Sequence, residues 1–218
     1  MKLYYHPLSS FAQKVLVAFE EKQLSFDGEI VDLFNPAVKA EYKKINPYGK
    51  VPTLVLDDGW RIPESSIIIE YLDTHFSSGT RLIPEDKDAA RRVRFFDRVS
   101  DLYVMDPTGL IFFDGLKPAD QREPARVAAA RETLATSYAR IDEHFAKNPG
   151  PWMLGNDFTM ADCAIAPALH YARMVQPFNE WKHLTAYCNR LAERPSFAKV
   201  VAAAQPYMAA FMAANAPK

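Results

Sequence analysis

The chain has 218 residues, 49% of them apolar and 24% charged, which suits a soluble globular protein with one large core or two modest ones. Its 26 basic and 27 acidic side chains leave a formal net charge of -1, so no basic excess is offered to nucleic acid. No uncharged apolar run is long enough to span a bilayer, and two cysteines, Cys163 and Cys188, make no disulfide framework.

Residues 2–5 are a short β-prone run stopped by His6-Pro7, without the apolar stretch of a signal peptide, so a cytoplasmic protein is expected. Residues 14–22 read as a helix, with apolar positions three and four apart. A second strand is expected over 26–33, then a turn at Asn35-Pro36 and a helix-like stretch to Tyr42. Residues 53–56 form a third strand, Asp57-Asp58-Gly59 a hairpin turn, and 60–62 a fourth strand. Pro63 has no N–H for a ladder, so that strand belongs at a sheet edge. A helix over 66–76 completes a unit spanning 1–77, a small sheet with helices on its faces.

Ser77-Ser78-Gly79-Thr80 and Pro84 mark a linker over 78–87. Strand signals then fade, and helices are expected over 88–105, 124–147, 159–175, 181–194 and 197–211, in an all-helical region spanning 88–218. Arg91-Arg92-Val93-Arg94 reads as a solvated helix face. Thr159-Met160-Ala161-Asp162 has capping-box form, with Asp in place of the usual Glu or Gln.

The most informative stretch is Asn46-Pro47-Tyr48-Gly49-Lys50-Val51-Pro52-Thr53-Leu54, followed by Pro63-Glu64-Ser65-Ser66. A proline opening a strand can be cis, and a cis Val51-Pro52 bond would turn the main chain of Val51 outward, where an extended peptide can pair with it. Ser65 and Ser66 open a helix, where hydroxyls and free N–H groups can hold a carboxylate. Together they suggest a site for a small acidic peptide.

With Ser9-Ser10 before Lys14-Val15 and with Phe158-Thr159-Met160-Ala161-Asp162, these motifs make the whole chain resemble the soluble glutathione transferases. The resemblance is to serine-type members of theta-, phi- or zeta-like, bacterial-looking classes. It implies a thioredoxin-like N-terminal α/β domain, an all-α C-terminal domain, a homodimer, and glutathione as co-substrate with a small hydrophobic electrophile. Neither a metal nor a nucleic-acid or membrane partner is implied; the five histidines are scattered without ligand spacing.

The chemistry to locate is thiol activation, since the thiolate is the nucleophile. A hydroxyl donating to sulfur at a helix N-terminus favours the anion. By the resemblance Ser9 is the first choice, with Ser10 and Tyr5 as competitors; the residues alone would let either serine simply cap the helix. The resemblance also implies that Val51, before Pro52, pairs with the cysteinyl part of glutathione. Glu64 and Ser65 would hold its γ-glutamyl end, and Lys39 or Lys50 its glycyl carboxylate. Asp97 or Asp101 could serve as an acid given to the partner subunit. Phe11, Tyr103, Met105, Leu110, Phe112 and Phe113 are expected to wall the electrophile site, with polar contacts from His170, Tyr171 and Arg173.

Cysteine-type relatives carry a cysteine in the first βα turn, where this chain has Ser9-Ser10-Phe11, which argues against disulfide reduction. Phe11 replaces the cysteine of the isomerising class, which weakens glutathione-dependent isomerisation of a maleylacetoacetate-type acid. The other alternative is a non-catalytic glutathione- or ligand-binding protein on the same fold.

Overall fold

The computed structural model describes residues 1–215; the last three residues of the expected helical region lie outside the described part. Four short strands form one mixed sheet in the order β2-β1-β3-β4. β1 (Lys2–Tyr5) runs parallel to β2 (Asp27–Ile30) and antiparallel to β3 (Thr53–Val55), which pairs antiparallel with β4 (Arg61–Ile62). A parallel pair needs a crossover, and α1 (Ser10–Glu21) supplies it. β4 lies at an edge, as Pro63 requires. The expected second strand is shorter than its β-prone run. After Val31 N–H closes on Tyr5 C=O at 2.8 Å, Asp32 turns the chain by accepting from Phe34 N–H.

Side chains alternate across the sheet, and the registers Leu3 to Leu54 and Leu54 to Ile62 put three buried residues on one face. α1 and α3 (Ser65–His75) cover that face with Val15, Ala18, Phe19, Ile68, Ile69 and Leu72. Tyr4 points to the other face, where it meets Tyr42 of α2 (Pro36–Tyr42) beside Val31 and Val51.

The linker crosses the end of α1 in close contact. Thr80 N–H donates to Glu21 C=O at 2.8 Å, and Gly79 has φ +64 with an added Cβ falling 2.1 Å from that oxygen, so only glycine fits.

Beyond it α4 (Lys87–Val99) runs through a π-helical turn, Ser100–Met105, into α5 (Asp106–Gly115). The sequence reading stopped this helix at 105. Pro107 falls just after the π turn, and the helix continues through it as α5. α6 (Pro124–Lys147), α7 (Met160–Val175), α8 (Lys182–Glu193) and α9 (Pro195–Ala214) follow. At the start of α7 the Asp162 carboxylate reaches back as in a capping box, accepting from Thr159 N–H at 2.9 Å and from the Thr159 hydroxyl at 3.1 Å. The buried Asp162 also accepts from Met153 N–H at 2.9 Å and the Tyr187 hydroxyl at 2.6 Å. α7 packs on α1, so one continuous core runs from Leu3 and Val15 to Ile165 and Leu191.

Glu21 fastens the end of α1 to the last two helices. Its carboxylate takes Arg194 at 2.6 and 2.7 Å, the Ser196 hydroxyl at 2.5 Å and the Thr80 hydroxyl at 2.7 Å. Burial pushes this carboxyl up, but the Arg194, Ser196 and Thr80 donors outweigh it and hold the pKa below the ordinary 4.5. A depressed carboxyl stabilises the fold above its unfolded pKa and loses that contribution as pH falls through the folded one. Glu21→Gln is therefore expected to cost about 2 kcal/mol at neutral pH and progressively less in acid. Denaturant melts of both proteins from neutral pH downward check this; a gap that stays constant below the ordinary glutamate range would contradict it.

Candidate functional site

β1 ends at Tyr5, and a single turn returns the chain to α1. Ser9 N–H donates to His6 C=O at 2.9 Å, and Ser9 is the N-cap, its Oγ accepting from Ala12 N–H at 3.3 Å. The capping role weighed from sequence is therefore real. It uses a lone pair of the hydroxyl and leaves the hydroxyl proton for another acceptor, at the positive end of α1. Ser10 is the first helical residue and is buried.

The turn is clamped from below. Gln13 Nε2 donates to Pro7 C=O at 2.8 Å and to the Tyr171 oxygen at 2.9 Å, while the Tyr171 hydroxyl donates to Leu8 C=O at 3.0 Å. Burial pushes the Tyr171 phenol up to about 12, so it stays a donor. Tyr171 thus holds the Ser9 turn rather than facing an electrophile. Its expected companions are also elsewhere: His170 packs on Phe197, and Arg173 lies over Phe178. Tyr5 packs edge-on against Phe26, and burial together with nearby Tyr207 raises its phenol pKa.

The Val51-Pro52 bond is cis and both residues are buried. Buried Asn46 and Tyr42 wire the loop before it: Lys50 C=O accepts from Tyr42 Oη at 2.9 Å and Asn46 Nδ2 at 2.7 Å. Both also bond the Thr53 hydroxyl. Among the described residues nothing bonds the N–H or C=O of Val51. Asn46 opens the stretch singled out in the sequence, but its bracing role, and that of Tyr42, rests on contacts that the sequence does not display.

Glu64 is exposed at the N-cap of α3 and makes no cap bond. The first backbone bond of that helix is Ile68 N–H to Glu64 C=O, so the amides of buried Ser65, of Ser66 and of Ile67 have no intrahelical partner. Lys39 is exposed on α2 beside the turn at Gly49. Lys50 is exposed, and its charge, with that of Arg98, opposes the rise that partial burial gives the carboxyl pKa of Asp106 in α5.

Directly behind Ser65 lies a cluster that the sequence reading missed. The Lys14 ammonium, 1% exposed, sits 2.5 Å from Asp97, 3.0 Å from Asp101 and 2.9 Å from the Ser66 hydroxyl, which donates to Asp97 at 2.7 Å. The available signal was a lysine inside the apolar stripe of α1, with Asp97 and Asp101 one turn apart on another helix. From the sequence, Asp97 or Asp101 could serve as an acid given to a partner subunit. Both are buried on this chain's own lysine, and burial raises the Asp101 carboxyl pKa although Lys14 opposes the rise.

The expected apolar wall is split. Residues 110 and 112 lie about 200° apart on a helix. Accordingly Leu110 lines a groove of about 300 Å³ with Pro107 and Ala130, between α5 and α6. Phe112 instead meets Phe113 and Phe211 at 5.3 and 5.9 Å between ring centres. Tyr103 and Phe113 are exposed, Tyr103 holding Ser137 through its carbonyl; Met105 packs on the core, and Phe11 is half-buried at the start of α1. The unforeseen contributor is α9. Tyr207 stands edge-on to His6 at 5.9 Å, and one turn on, Phe211 lies between Phe34 at 5.8 Å and Phe112.

Residues 8–75 match the glutathione S-transferase N-terminal domain family, and residues 124–190 the glutathione S-transferase C-terminal domain family. Glutathione S-transferase 3 of Zea mays is 33% identical over 93% of this chain and 94% of its own length. A probable glutathione S-transferase, DHAR1, cytosolic, of Oryza sativa subsp. japonica is 28% identical over 91% of this chain and 86% of its own. Among solved structures, a glutathione S-transferase from Methylobacillus flagellatus with glutathione bound superposes with a TM-score of 0.83. It is 28% identical and covers 91% of this chain and 98% of its own.

Proposed function

The chain belongs to the soluble glutathione transferase family, and on that premise we propose that it is a serine-type enzyme that turns bound glutathione into a thiolate for attack on a hydrophobic electrophile. The observation that carries the reading is the state of Ser9. Its oxygen is fixed by Ala12 N–H, its proton is free, and it stands at the positive end of α1. A hydroxyl already accepting one hydrogen bond donates more strongly in the next.

In this reading the free main chain of Val51, before Pro52, pairs with the cysteinyl residue. Ser65 gives its hydroxyl and the open amides of α3 to the γ-glutamyl carboxylate, and exposed Glu64 takes the adjoining amine. Lys50 or Lys39 neutralises the glycyl carboxylate. Phe112 and Phe113 give apolar surface to the electrophile, with Phe11 on the Ser9 side. We place the enzyme in the cytoplasm as a homodimer, with the two domains divided at residues 78–87. Ser10 and Tyr5 remain the rivals of Ser9, but burial and neighbouring Tyr207 leave Tyr5 a weaker acid than an ordinary phenol.

The protein's own thiols favour conjugation over disulfide exchange. Cys163 and Cys188 are buried, and burial pushes both thiols up, so neither supplies a thiolate at neutral pH. The test is ultraviolet difference absorbance with reduced glutathione. A bound thiolate at neutral pH supports the enzyme; binding without it would favour a ligand-holding protein.

Ser65 has a separate signature. Ser65→Ala is expected to weaken glutathione binding about 10-fold, the value of a hydrogen bond to a charged group, and to spare kcat at saturation. Isothermal titration and steady-state kinetics separate the two effects. A loss confined to kcat would remove Ser65 from the binding role.

A further inference from the structure

Ser9, Val51 and Ser65 are accounted for by the reading above, whereas His6, in the same turn as Ser9, has been given no task. We propose that His6 donates a hydrogen bond to the carbonyl oxygen of the electrophile, and that the enzyme's preferred electrophiles are α,β-unsaturated carbonyl compounds with an apolar tail. The inference rests on the glutathione-thiolate reading.

The imidazole is set up as a donor. Its Nδ1 accepts from Leu8 N–H at 3.2 Å, which puts the ring proton on Nε2. Among the described residues nothing accepts from Nε2. Burial lowers the pKa of the ring, and Asp32 only partly offsets this, so at neutral pH the donor is uncharged. The ring is half-buried and stands edge-on to Tyr207 of α9. Ser9 N–H closes on His6 C=O at 2.9 Å, so the two residues share one tight turn, and the proposed donor acts on the substrate of a sulfur held by Ser9.

The surroundings define the rest of the substrate. Next to this polar spot the rings of Phe34, Phe211 and Phe112 form a continuous apolar row, each within 6 Å of the next. A molecule with a carbonyl at one end and a hydrocarbon tail at the other matches both parts.

The chemistry explains why such an acceptor needs the donor. The glutathione thiolate forms a sulfur–carbon bond at the β-carbon, the electron pair of the carbon–carbon double bond moves toward the carbonyl, and the oxygen becomes an enolate. His6 Nε2–H stabilises that oxygen by hydrogen bonding and keeps its proton. The enolate then takes a proton from water at the α-carbon, replacing the one the thiol released, and the saturated thioether leaves. Displacement of an aryl halide develops no charge on a carbonyl, so it gains nothing from this donor.

The experiment measures kcat/KM of wild type and His6→Asn with trans-2-nonenal and with 1-chloro-2,4-dinitrobenzene. Asparagine keeps an oxygen that can accept from Leu8 N–H two residues on, as in an Asx turn, while withdrawing the donor. The nonenal-to-halide ratio is expected to fall about 100-fold, the loss typical of one oxyanion donor. His6→Ala should lower the ratio similarly, even if its looser turn also lowers both rates. An unchanged ratio in both variants overturns the proposal, because His6 then serves only the loop. Wild type that converts the halide but not the enal also overturns it and leaves the thiolate reading intact. Wild type that converts neither and shows no bound thiolate overturns both.

Discussion

Ser9→Ala is expected to lower turnover about 30-fold while glutathione affinity changes less than about 3-fold. The lost group is one hydroxyl hydrogen bond to an anion, worth about 2 kcal/mol in favour of the thiolate. That corresponds to a rise of about 1.5 units in the thiol's pKa, toward the ordinary value near 8.5. Most of the lost rate should therefore return as pH is raised, which a folding defect would not permit. The cap itself accounts for little of the loss, because replacing a capping serine costs about 1 kcal/mol of stability and leaves the catalytic pH profile alone. A pH–rate profile and a titration of the thiolate absorbance in both proteins decide the matter. An unshifted thiol pKa in the variant would transfer the assignment to Ser10 or Tyr5.

Lys14→Met is expected to be the most damaging single change to stability. It leaves Asp97 and Asp101 facing each other in the interior without their cation, and uncovering a buried charge this way costs about 3–5 kcal/mol. For a chain of this size that is a drop of about 10 °C in Tm. The cause is the stranded carboxylates rather than lost packing, since methionine nearly preserves the side-chain volume. Adding Asp97→Leu to Lys14→Met should accordingly recover part of the loss, with a coupling energy of about 1–3 kcal/mol between the sites. Asp101 keeps Arg98 at 3.5 Å, so full recovery is not expected. Thermal melts of the two single variants and the double variant test this. Strict additivity would mean that the lysine and Asp97 do not act on each other.

The features legible in the sequence are those whose physics is local. Pro52 and Pro63 punctuate strands, Thr159 and Asp162 sit three residues apart, and α1 and α3 show their apolar spacing within a dozen residues. What escaped needs contacts between distant parts of the chain. Lys14 meets residues 52, 83 and 87 positions away, and nothing near it announces an acid. The split between Leu110 and Phe112 depends on knowing that α5 is a helix, which Pro107 and Gly109 concealed. Tyr207 and Phe211 sit in an alanine-rich tail whose apolar character speaks only of burial, while their partners, His6, Phe34 and Phe112, belong to three other segments.

The widened coil at Ser100–Met105 acts as a phase-setter for everything downstream of it. A π turn accommodates an extra residue, and each residue of an ordinary helix advances the azimuth by about 100°. Were that surplus absent, α5 would emerge rotated by about that angle, swinging Phe112 away from Phe211. The ring presented to the tail helix is thus dialled in seven residues or more ahead of itself, by the gauge of the coil rather than by the identity of its neighbours.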